Sequence, residues 1–227
     1  MSSVTTVGNG GHSAIDAALG FYYQSLYGLL SIVKATEDDA MVCLERLDDV
    51  EIILNGRSLL VQLKHSLSKK PAAVSLASVA LWKTIRAWID VLPKVSLDDM
   101  RFQLVTVAPL LPGSALAPLL DEMASRTGLL KLLEVEAQRV MNEHSVAKMN
   151  SKTPLPHIER LPGCSAYLNL PSATREKLLS RVTICPAAND INKIQRDITT
   201  ALTNFRNDSV NPSCYLHRSA EKFLRSG

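Results

Sequence analysis

The sequence predicts a mixed α/β fold, with an αβββαβ core over residues 12–110, a helical insertion over 111–170 and a return to the core over 172–205. Three observations carry it. Residues 41–45, 49–54 and 59–64 are three successive runs rich in Val, Ile and Leu, and Asn55-Gly56 stands between the last two as a hairpin turn. Apolar residues recur at three- and four-residue steps before this meander and again after it, which is helical spacing. Arg101 to Ala108, RFQLVTVA, then reads as a further strand.

In chain order, residues 1–12 carry Gly8, Gly10 and Gly11, which disfavour regular structure. From Ser13 a helix follows on Ile15, Leu19, Tyr22, Leu26, Leu29, Leu30 and Val33, with Ser13 or Asp16 as its cap. Gly20, Gln24 and Gly28 lie four apart on one stripe. An interior glycine costs ~1 kcal/mol relative to alanine, so this stripe suggests a close backbone approach. A second helix over about 75–92 shows Leu81, Ile85, Trp88, Ile89 and Leu92 on one face, and Pro109, Pro112 and Gly113 end the unit. Residues 115–148 read as helical and 151–171 as a proline-containing connection. A helix over 172–180, a strand over 181–186 and a periodic helix over 190–205 complete the domain at about residue 207. Residues 208–227 keep periodic Leu216, Ala220, Phe223 and Leu224, and read as a tail or the start of a following region.

Bulk properties narrow the function classes. At 227 residues the chain can bury a full core, and 46% apolar with 21% charged residues is the balance of a globular protein. A net charge of +3 implies that any nucleic-acid surface is a local patch. MSSVTTVGNGGHS has no apolar signal-peptide core, and no run reaches the ~18 apolar residues that span a bilayer, so a cytoplasmic protein without a membrane partner is expected. Cys43, Cys164, Cys185 and Cys214 have no C-x-x-C spacing and read as reduced, packed thiols. His12, His144, His157 and His217 lack metal-ligand spacing. Serine-nucleophile elbows, phosphate-binding glycine loops and dinucleotide fingerprints are absent.

The chemistry concentrates in Met41–His65. Residues two apart on a strand point the same way, so Gln62 and Lys64 emerge side by side, while Val61 and Leu63 supply the apolar face. Asp49 begins the strand that pairs with them across the Asn-Gly turn, and Glu45 ends the strand before. Two carboxylates, an amide oxygen and an ammonium then converge at one end of a small sheet, a set suited to a hard cation and a phosphate. Asp48 competes with Asp49, which is in phase with its strand. Asp49 and Lys64 also fit an ordinary cross-strand ion pair, Glu45 a surface acid, and Gln24 a cap on a buried carbonyl. His65 points to the face opposite Lys64, and Trp82 and Trp88 read as core. Lys69 and Lys70, directly after the site, are phosphate contacts or a solvated loop; Lys83/Arg86 and Lys193/Arg196 are weaker versions of the same pattern.

This order resembles the PD-(D/E)-x-K nuclease superfamily in its variant with Gln before x-Lys, as in Mrr-type restriction enzymes. It is more closely similar to the double-stranded-DNA nuclease domain of bacterial anti-phage effectors, including those of CBASS systems and STAND-type sensors. The matching residues are Gly20-Phe21-Tyr22-Tyr23-Gln24, Glu45 with Asp48-Asp49-Val50, and Val61-Gln62-Leu63-Lys64; a weaker match returns at 181–185 and 189–191. The resemblance implies a restriction-endonuclease-like core and Mg²⁺- or Mn²⁺-dependent cleavage of double-stranded DNA. Asp49, Glu45 and Gln62 would hold the metal, Lys64 would act on the attacking water, Gln24 would join the site, and Lys69 and Lys70 would touch the DNA backbone. It further implies a homo-oligomer or an attached sensor domain. The rival expectation is a catalytically inactive nuclease-like fold that binds DNA or assembles proteins.

Overall fold

The computed structural model describes residues 10–66, 68 and 70–208. Its core is one five-stranded sheet in the order β1-β2-β3-β4-β5, formed by Met41–Leu44, Val50–Leu54, Arg57–Lys64, Met100–Thr106 and Val182–Cys185. The first three strands are an antiparallel meander; β3, β4 and β5 run parallel. Six α-helices flank the sheet among the described residues: α1 Gly10–Lys34, α2 Val79–Val91, α3 Thr127–Met149, α4 Leu161–Asn169, α5 Ser172–Leu179 and α6 Ile191–Asp208. The first half thus runs α, three β, α, β, as the periodicity predicts.

The hairpin turn is local chemistry. Asn55 (φ 50°) and Gly56 (φ 72°) both take the left-handed conformation that a tight two-residue turn requires, which Asn and Gly reach most cheaply. Strand alternation then divides the sheet into two faces. Val50, Val61, Leu63 and Val105 pack under Tyr23 of α1 and Ile194 of α6. On the other face Leu60, Phe102, Leu104 and Ile184 pack with Trp82 and Trp88 of α2 and with Leu129, Leu133 and Tyr167 from α3 and α4. Both tryptophans are core, as expected.

Three segments depart from the sequence expectation, the first being residues 115–126, read as helical, which form a 3₁₀ turn over Ala117–Leu120 and a loop before α3 begins at Thr127. Helix α1 begins at Gly10, so residues 10–12 are helical; the cost of glycine is met by the tertiary packing of the long helix behind it. Within the proline-containing connection, residues 161–169 form α4, with Pro162 in its first turn where a missing N–H leaves no helical bond unmade. Gly163 explains why α4 lies tight on α2: a Cβ there would collide with the Trp82 carbonyl. Of Gly20 and Gly28, Gly28 is the close one, where a Cβ would meet the Val42 and Leu44 side chains at 3.1 Å.

Candidate active site

The β2–β3 ladder ends at Val50↔Val61, and continuing that register by one residue sets Asp49 opposite Gln62. Past the last pair, the Leu63 N–H donates to Asp49 Oδ2 at 2.8 Å. That bond pins the Asp49 carboxylate to the segment of β3 between Gln62 and Lys64. Gln62 and Lys64 share the face of Leu60, the α2 side of the sheet. Gln62 is 6% exposed and makes no side-chain hydrogen bond among the described residues. Burial lowers the pKa of Lys64, while the charges of Asp49 and then Asp48 work to raise it.

Asp48 is as much part of this constellation as Asp49. Its Oδ1 accepts the Asp49 N–H at 3.0 Å, and its Oδ2 accepts the indole N–H of Trp88 at 2.9 Å. Burial first, with the neighbouring Asp49 charge, raises its pKa to about 6 against the pull of those hydrogen bonds and of Lys64. A second acid that the spacing did not single out is Glu51. It pairs across from Leu60 and therefore shares the face of Gln62 and Lys64, yet it is fully buried. Arg46 Nε and Nη2 meet its two oxygens at 2.6 and 2.5 Å. The signal was present in phase: in VEIIL, Glu51 falls two residues after Asp49, on the same side of the strand.

Other residues named from sequence are more scattered. Glu45 lies just outside β1 with φ 55°; its N–H donates to Asp49 O at 3.2 Å and its side chain is exposed. Gln24, 9% exposed, sits on α1, the helix that covers the face opposite Gln62 and Lys64. His65 packs edge-on against Tyr23 at 6.1 Å on that opposite face, with its pKa lowered by burial. Lys69 lies outside the described residues. Lys70 is exposed, its N–H held by Ser68 Oγ at 3.2 Å. Lys83 and Arg86 are engaged in ion pairs with Glu159 and Asp90, whereas Lys193 and Arg196 lie exposed on α6.

Among the described residues, no three His, Cys, Asp or Glu side chains gather into a metal cluster. The carboxylates differ in what remains free. Both oxygens of Asp48 and both of Glu51 accept hydrogen bonds, whereas Asp49 has one oxygen engaged and Gln62 has none. Asp49 and Gln62 are oxygen donors only, so the set fits a hard divalent ion that keeps most of its waters and takes further ligands from substrate phosphates. It is not the set of a typical zinc site, which draws its protein ligands chiefly from Cys sulfur and His nitrogen.

No family model matches the chain, and no curated protein matches it. Among solved structures it is similar to the Cap4 SAVED/CARF-domain containing receptor of Moraxella osloensis, at 16% identity and a TM-score of 0.40, over 83% of this chain and 38% of that one. The chain spans little more than a third of that receptor's length. No described helix is long and apolar enough to cross a membrane.

Proposed function

We propose that this chain is a metal-dependent endonuclease domain that hydrolyses double-stranded DNA, with a restriction-endonuclease-like core, acting in anti-phage defence. The observation that carries the reading is the register that sets Asp49 opposite Gln62 on the face of Lys64, with the Asp49 carboxylate pinned to β3 and a Gln62 amide that has no hydrogen-bond partner among the described residues. The motif order in the sequence supports the same reading, and the defence role rests on that resemblance.

In this reading Asp49 and Gln62 hold Mg²⁺ or Mn²⁺, joined by Glu45 if its exposed side chain turns inward. The bound ion would supply Lewis acidity and lower the pKa of a coordinated water. The chain's own residues do the rest. Lys64 presents Nζ–H donors to the phosphoryl oxygens and the incoming water, offsetting charge that grows in the transition state. The charges of Asp49 and Asp48 oppose the lowering of the Lys64 pKa by burial. The Leu63 N–H fixes the Asp49 carboxylate so that little reorganisation is needed when substrate arrives. Lys69 and Lys70 contact backbone phosphates, which positions the duplex without reading its bases.

A second reading, a nuclease-like fold without turnover, draws on Gln62 standing where a third acid would complete a cluster, and on the absence of such a cluster among the described residues. Cleavage of a linear duplex across a Mg²⁺ titration, with Lys64→Ala as control, separates the two. Cleavage that Lys64→Ala abolishes supports the enzyme; none in any metal overturns it.

A further inference from the structure

The Arg46–Glu51 pair is not explained by the roles above. Glu51 has 1% of its side chain exposed, whereas the Arg46 side chain keeps 54%. An Arg paired with a buried acid can keep its head in water without presenting any particular edge outward. Arg46 instead engages Glu51 side-on through Nε and Nη2. A guanidinium has five N–H donors, and this contact uses one on each of those nitrogens. Three remain, on Nη1 and on the outer side of Nη2, and together they form the end-on fork that matches two oxygens of a phosphate. Nη1 meets no acceptor among the described residues. Glu51 lies two strand residues from Asp49 on the same face, roughly 7 Å along β2. The fork is therefore fixed beside the reaction centre, in the bend that leads into Asp49.

We infer that Arg46 is a phosphate clamp for the DNA backbone, flanking the phosphodiester at Lys64, and that Glu51 is the positioning residue that aims its fork outward. This rests on the nuclease reading for its substrate. Its chemistry is independent of turnover, because a clamp contributes to binding whether or not the bond is cut. A rigid, carboxylate-braced guanidinium gives geometry that a flexible lysine does not.

The test is duplex binding in Ca²⁺, measured by anisotropy of a labelled linear duplex over a range of salt, for the parent, Arg46→Ala, Arg46→Lys and Glu51→Gln. Each contacted phosphate contributes about −0.9 to the slope of log K against log salt. Arg46→Ala is expected to make the slope shallower by about one phosphate, equally on unrelated sequences. Arg46→Lys should recover the slope, since the charge returns, but not the affinity, since the fork does not. Glu51→Gln removes a negative charge, so a purely long-range effect would tighten binding; loss of the brace weakens it. Because Arg46→Ala leaves Glu51 buried without a partner, Arg46→Ala combined with Glu51→Gln keeps the slope readable if the single variant does not fold. An unchanged slope in Arg46→Ala or the double variant, or tighter binding by Glu51→Gln, overturns the clamp. If the parent still cuts DNA in Mg²⁺, the nuclease reading survives that result. A parent that neither binds nor cuts overturns both.

Discussion

Trp88 donates its indole N–H to Asp48 Oδ2 at 2.9 Å, across forty residues of chain, and so ties the acid before Asp49 to the helix that crosses over the sheet. The bond holds a carboxylate where burial opposes its charge, and the pKa of Asp48 rises from 3.8 to about 6. A raised carboxyl pKa places its stabilising effect at low pH. The contribution is full below about pH 4, declines as pH climbs toward 6, and is gone above that.

Asp48→Asn should therefore gain on the parent as pH rises from 4 to 7, by at most about 3 kcal/mol. Thermal melts of both proteins over that range check it. A stability difference that does not change with pH would contradict the assignment. Trp88→Phe should move the Asp48 pKa further up, because the lost N–H favoured the ionised form; a carboxyl-carbon NMR titration reads this directly.

On the proposed mechanism, Lys64→Ala should lose about 10²–10³ in single-turnover cleavage rate, since it would remove charge from the place where negative charge builds up. Duplex binding in Ca²⁺ should survive. Excess EDTA should stop cleavage by the parent. Parent-like rates in Lys64→Ala, or cleavage that persists in EDTA, would dispose of the mechanism.

In the proposed site Gln62 would offer the metal a neutral oxygen, so Gln62→Glu should keep the geometry, bind metal more tightly and retain part of the activity. Gln62→Ala removes the oxygen and should be the worse of the two. The midpoint of a Mg²⁺ titration of the cleavage rate orders the three proteins; coincident midpoints would mean that Gln62 is no ligand.

Gly163→Ala should cost about 1–3 kcal/mol, because the added methyl meets the rigid Trp82 carbonyl and α4 must lift from α2. Gly128→Ala in α3 is the control: nothing lies within 4 Å of its Cβ, so it should be neutral or slightly stabilising. Denaturant midpoints distinguish them, and equal midpoints would show that α4 has room to shift.

Features that depend on a few neighbouring residues are legible in the sequence. Asn55-Gly56 specifies a two-residue hairpin because both positions need positive φ, and the observed angles of 50° and 72° are that turn. Period-two alternation places Gln62 and Lys64 together and His65 opposite, and the hairpin register brings Asp49 to them. The remaining features depend on partners far along the chain or on packing that offsets a local cost. Asp48 enters the site because α2 brings Trp88 to it. Glu51 is tolerated in the core because Arg46 reaches back from the bend to satisfy both its oxygens. Gln24 lies on the face opposite Gln62 because α1 packs on Val61 and Leu63, a choice that helical periodicity does not contain. Helix α4 forms in a proline-bearing segment because Gly163 lets it settle against Trp82. Local rules fix which side of a strand a residue takes, but a charge buried on that side survives only where the folded chain supplies its partner.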